Sequence, residues 1–418
     1  MSYTLLRGAF VIRYADLPHQ GPEPDGDTIK FAPDTPALVE KLPRISGRPP
    51  KINARGISVR LEAIDALETH FEETHQELAG ANEARDALLA DLGFTNVTFS
   101  PTAPNKVESA DHDSLRGYVL SNGIDANGRM IGFVYAGDPT GPDGATVFLD
   151  EAGVDASVNA RLLAEGRVYP AFYGSLPATL RTHLSTSSRV ARGAQPPRGL
   201  WPRSTADPNA AQTIADLGAL ELLVIWPKLF RRVVSYFAAG FTNFDGFDTW
   251  LRGDPVHRDD KLFLIDPLEN GNLHDVVSAS GSQLQLTAWP EDFIIEPDPA
   301  PAGAVTGPRP ATAGDVLIVA ALPDPVGRDQ SHESVTVLNT TSQSVELAGW
   351  HLVDSAGDRQ DLTGTLAAGG VLQFQLGDVR LGNTRDALLL LDAGGGTVDQ
   401  VSYEERHVRR GRTICFGR

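Results

Sequence analysis

Val59-Arg60-Leu61-Glu62-Ala63-Ile64-Asp65-Ala66-Leu67-Glu68 begins as a strand and runs into a charged turn. Val59, Leu61 and Ala63 alternate with Arg60, Glu62 and Ile64, the period-2 pattern of a strand with one buried face. An arginine, an aspartate and a glutamate follow one another at its end. A guanidinium can fork onto a phosphate, an aspartate can hold a hard cation, and a glutamate can take a proton from water. Those are the parts needed to cut a phosphodiester. Taken alone, the stretch reads better as a strand edge with ordinary surface charges.

Two flanking segments shift that balance. Upstream lies Asp25-Gly26-Asp27-Thr28 before an alternating apolar run, and downstream lies Asn127-Gly128-Arg129 before a second one. In this order the motifs resemble the staphylococcal nuclease (thermonuclease) family. The resemblance continues in Val158-Asn159-Ala160-Arg161-Leu162-Leu163-Ala164-Glu165-Gly166, similar to that family's V-N-x-x-L-x-x-x-G helix, and in Gly199-Leu200-Trp201. Each motif is weak alone; their order over about half the chain carries the likeness.

The resemblance implies an α+β oligonucleotide-binding-type β-barrel that hydrolyses DNA or RNA and leaves 3′-phosphate ends. Carried over residue by residue, it implies that Asp27, Asp65 and the carbonyl of Ala66 hold a calcium ion (Ca2+). It further implies that Glu68 positions or deprotonates the attacking water, and that Arg60 and Arg129 bind the phosphate. The chain departs from the family's Asp-Thr-Pro-Glu by reading Asp65-Ala66-Leu67-Glu68. Alanine keeps the carbonyl, but without proline the turn is less constrained.

Patterning along the chain agrees with a barrel. Strands are predicted over 4–14, 28–31, 115–120 and 130–135 around the Val59 strand, with a helix over 71–92 before the last pair. That is the element order of an oligonucleotide-binding barrel. Residues 33–55 are Pro-rich and irregular, an insertion in a short hairpin. Glu72, Glu73 and Glu77 suit the start of a helix, and His70 and His75 read as half-exposed helix residues. Asp111-His112-Asp113 has no partner at metal spacing and reads as a solvated loop. Phe172 and Tyr173, after Arg167-Val168-Tyr169-Pro170, serve equally as base-stacking platforms or as core.

From residue 204 the character changes. Residues 220–237 predict a buried helix with Lys228, Arg231 and Arg232 on one side, and 262–295 predict short strands. No chemical motif appears in 204–296, which is expected to be a packing extension of the barrel or a dimer contact. Residues 297–313 form a Pro-rich linker. The pattern over 314–418 is all β, and Glu333–Asn339, Gly349-Trp350-His351, Leu381-Gly382-Asn383 and Val398–Tyr403 look like the lamin-tail domain, an immunoglobulin-like sandwich. That resemblance implies an attachment module with Trp350 in its core. The last stretch gathers Arg406, Arg409, Arg410, Arg412 and Arg418; a solvated edge accounts for them, and Arg409 and Arg410 are candidate phosphate contacts.

The 418 residues allow two or three domains, here 1–203, 204–296 and 314–418. The net charge is −18, and no region is basic overall, so nucleic-acid affinity is expected to be modest and metal-dependent. One cysteine, Cys415, excludes an internal disulfide. No apolar leader or membrane-length run is present, and the reading is a cytoplasmic protein. The rival reading is a weakly catalytic scaffold that binds nucleic acid or protein. A third is a nuclease effector activated by a partner, with 204–296 or the tail as a contact for that partner or for a second copy.

Overall fold

The computed structural model describes residues 2–297 and 314–417, apart from 18, 19, 46, 255, 256, 267, 328–331, 342, 343 and 368. Five strands close a barrel: β1 (Ser2–Val11), β2 (Thr28–Pro33), β3 (Ile57–Leu61), β4 (Ser114–Ile124) and β5 (Met130–Ala136). Their order around the wall is β1-β2-β3-β5-β4, and β1 pairs with both β2 and β4 to close it. All contacts are antiparallel except β3 with β5, where Arg60 sits opposite Ile131. This is the closed five-stranded, oligonucleotide-binding-type arrangement expected from the element order. Leu6, Phe10, Phe31, Val59, Val119 and Val134 share its inner face and fill the interior.

Helix α1 (Leu78–Asp91) begins later than the 71–92 pattern predicts. Glu77 caps it by accepting from the Gly80 amide, and Glu72 sits before it at positive φ. The three acidic residues therefore precede the helix and do not line its opening turns. Helix α2 (Val158–Ala164) is capped by Ser157 and carries the buried Asn159. Its motif glycine has a backbone purpose. Gly166 has φ +69, and its carbonyl accepts from the Leu200 amide at 2.8 Å. A Cβ at Gly199 would lie 2.2 Å from that same oxygen, so the two motifs dock only as glycines. Trp201 then stacks edge-on against Tyr169.

Residues 204–296 are not a separate body. They share one apolar cluster with Leu67, Ala81, Tyr169, Ala171, Leu200 and Trp201, built around Trp226, Phe230, Tyr236 and Phe293. The predicted 220–237 helix is divided: a short helix spans Leu217–Glu221, and α3 runs Pro227–Ala238, started by a proline at its first position. Ile295 continues the sheet contact by donating to the Phe172 carbonyl at 2.7 Å. The linker expected at 297–313 falls, but for residue 297, outside the described residues. Beyond it, two four-stranded sheets enclose a third apolar core that includes Trp350.

Candidate catalytic site

The turn after β3 is made by Ala63, whose φ of +71 is uncommon for a residue with a Cβ. That bend reverses the chain into Ile64–Asp65, which pairs with Tyr169–Pro170. Asn159 fixes it from behind: its Nδ2 donates to the carbonyls of Glu62 (2.9 Å) and Gly132 (3.1 Å), and its Oδ1 accepts from Val134. The Asp25-Gly26-Asp27 loop approaches from β2, and the Leu61 amide donates to the Asp27 carbonyl at 2.8 Å. A Cβ on Gly26 would lie 2.5 Å from that of Ala66 and 2.8 Å from that of Ala84. Glycine there lets the two acidic loops touch. Asp27 Oδ2 faces the Ala66 amide at 3.4 Å, and its Oδ1 accepts from the Thr28 hydroxyl.

Asp27, Arg60, Asp65 and Glu68 are thus brought to one end of the barrel. Asp65 is 1 % exposed, and Arg60 reaches it at 3.1 Å. Arg60 also lies over the Tyr173 ring, 5.6 Å from its centroid. Arg129 directly precedes β5 and lines a cleft together with Ser58 of β3. Its Nε pairs with Asp125 at 2.8 Å, and Asp125 also acts electrostatically on Arg60.

The structure adds a residue that the motifs did not single out as part of the site. Arg231 of α3 grips Asp65 Oδ2 at 3.0 Å and pairs with Glu68 Oε1. Lys228 and Arg232, on the same helix face, both bind Asp260 instead. Gln76 locks this helix to the site, since its side chain accepts from the Glu68 amide and donates to the Ile225 carbonyl. The 228/231/232 spacing marked a basic helix face, but nothing local showed which carboxylates it would meet. Asp25 also joins the cluster, close enough to Asp27 and Glu68 to feel both charges.

Charge is unevenly compensated here. Burial would raise the Asp65 pKa, but Arg231, Arg60 and Lys228 outweigh it and hold the carboxyl below its ordinary value. Burial raises Glu68 despite Arg231, and Asp27 and Asp65 add to the rise. Asp25 is pushed well up by burial, with Asp27 and Glu68 reinforcing it. Asp25 and Glu68 are thus pushed toward the protonated form by burial and their acidic neighbours, while Asp65 is held ionised by Arg231 and Arg60.

The remaining candidates separate. Phe172 is fully buried in the barrel's apolar cluster, which makes it core and takes its ring out of a base's reach. Tyr173 stays beside Arg60 at the site. Arg409 and Arg410 are exposed on the sandwich, and Arg409 donates to the carbonyls of Arg406 and Val408. Arg418 lies outside the described residues. Asp111 is occupied by Thr95 and Asn96, as a loop cap would be. Among the described residues no three acidic, histidine or cysteine side chains converge as a metal cage, and no helix is long and apolar enough to cross a membrane.

Residues 309–405 match the Lamin Tail Domain family, a match that covers the sandwich and none of the barrel. A search of the curated proteins finds no match to the chain.

Proposed function

We propose that the barrel and its helical extension form a metal-dependent phosphodiesterase acting on DNA or RNA, tethered or recruited by the lamin tail domain as a protein-interaction module. The observation that carries this is the convergence of Asp27, Arg60, Asp65 and Glu68 at one barrel end, with Arg129 just ahead of β5 and held by Asp125, whose charge also reaches Arg60. Arg60 and Arg129 supply guanidiniums for the phosphate and for the charge that builds on five-coordinate phosphorus. Glu68 takes the proton of the attacking water, and its raised pKa makes it a better base than an exposed glutamate. Tyr173 and Asp125 hold the two arginines in place.

The donor set fits a hard divalent cation such as calcium. Asp27, Asp65 and the Ala66 carbonyl offer only oxygen, and added positive charge would relieve the crowding of Asp25 and Glu68 against Asp27. A bound cation would polarise a phosphate oxygen. Purified protein should degrade plasmid and single-stranded DNA in calcium and stop on chelation. Full cleavage in excess chelator would reject the metal, and no cleavage with any divalent ion would reject the phosphodiesterase.

A further inference from the structure

Between Glu40 and Glu62 the chain carries Lys41, Arg44, Arg48, Lys51, Arg55 and Arg60 and not one acidic residue, in a protein of net charge −18. The segment is laid against the barrel. Ile124 donates to the Pro43 carbonyl at 2.8 Å, Ile45 to that of Ile124 at 3.0 Å, and Lys51 to that of Gly128 at 2.8 Å. It therefore follows the β4–β5 turn to Arg129, and Lys51, Ser58, Asn127, Gly128 and Arg129 line a common cleft.

Most arginines on the barrel surface are neutralised: Arg116 by Asp34 and Asp138, Arg13 by Asp113, Arg161 by Asp91. On this strip Arg55 is likewise taken by Asp16, and it stacks on Tyr14. Lys41, Arg44, Arg48 and Lys51 differ, entering no ion pair among the described residues; Lys41, Arg44 and Lys51 are exposed. An external polyanion supplies the missing partner. The stretch 41–61 contains no Phe, Tyr or Trp to stack a base, so its chemistry suits backbone phosphates without sequence preference.

We propose that Lys41, Arg44, Arg48 and Lys51 form a phosphate track that leads a nucleic-acid backbone to Arg129 and Arg60. This rests on the phosphodiesterase reading for the identity of its ligand. The test uses the full chain with Glu68→Gln to halt turnover, and a short fluorescent oligothymidylate and a short duplex as probes. Affinity is followed against salt. Each lost phosphate contact flattens the slope of log K against log salt by about 0.7 on single strands and about 0.9 on duplex. Arg44→Gln with Lys51→Gln should therefore flatten it by about 1.4 or about 1.8, with the melting temperature unchanged because both side chains are exposed. An unchanged slope, with binding intact, overturns the track. So does a slope that flattens only with Arg409→Gln and Arg410→Gln, which would place the contact on the sandwich. If the unsubstituted chain cuts nothing yet shows the salt-dependent binding that the track variant loses, the track stands and the phosphodiesterase falls. Absence of binding removes the track.

Discussion

Glu62 is 2 % exposed on the strand that carries Arg60, and burial lifts its pKa to about 7 against the opposing pull of Asn122 and Arg60. The folded chain thus keeps this proton through a range in which the unfolded chain has lost it. Stability contributed by that proton is full below the ordinary glutamate range and is lost as pH rises to about 7. Glu62→Gln removes the titration and still accepts from Asn122. The variant should gain about 3 kcal/mol over the parent at about pH 8 and little at about pH 5, read by urea unfolding. Equal gains at both pH values would place the cost elsewhere. Arg231 poses a different question, because it binds Asp65, a carboxylate that a divalent ion would use, and Glu68 beside it. Removing one unit charge at contact distance is worth at least about 1.4 kcal/mol. Arg231→Gln should therefore tighten calcium binding about tenfold in a calorimetric titration, whereas Arg232→Gln, whose partner is Asp260, should not. Unchanged affinity in Arg231→Gln would show that the guanidinium is no competitor.

Helix α2 works on the site through Asn159, which holds the Ala63 bend and β5 together with three hydrogen bonds. Asn159→Leu keeps the volume but strands the Glu62 carbonyl and the Val134 amide in the core, while the Gly132 carbonyl keeps its bond from the Glu62 amide. It should cost about 3 kcal/mol of stability; a loss under about 1 kcal/mol in denaturant would mean that the bend holds itself. Much of this was legible beforehand. The alternation of β3, the Gly-containing turns and the spacing of the motifs set out the barrel and brought Asp27, Arg60, Asp65, Glu68 and Arg129 into view. What stayed hidden depends on tertiary placement. Ala63 carries no mark of its positive φ, and Phe172 and Tyr173 are neighbours with opposite fates. Pro227 signals a helix start, yet only the fold reveals that α3 aims Arg231 at the turn after β3. The basic run from Lys41 was visible, but averaging charge over the first 203 residues buried it among acids elsewhere.

The whole chain divides unevenly. The extension 204–296 closes the site with Arg231 and completes an apolar cluster that includes Leu67, Tyr169 and Trp201. Ending the chain before Ser204 would leave those side chains facing water, and residues 1–203 alone should not unfold cooperatively. Ending it before Gly314 removes a sandwich with its own core around Trp350, Leu352 and Leu388. Val353 and Leu389 lean on the barrel cluster, so the shortened chain should melt somewhat lower than the parent. No candidate for the chemical step lies in the removed part, and the track of Lys41 to Lys51 remains. The shortened chain should therefore cut short oligonucleotides at the parent's rate, measured in calcium with the fold checked by circular dichroism. If it stays folded but loses that activity, the lamin tail domain shapes the active site and is more than a tether. If it keeps the activity on oligonucleotides but loses it on long or partner-bound nucleic acid, the sandwich delivers substrate, which is the role its own core and exposed arginines favour.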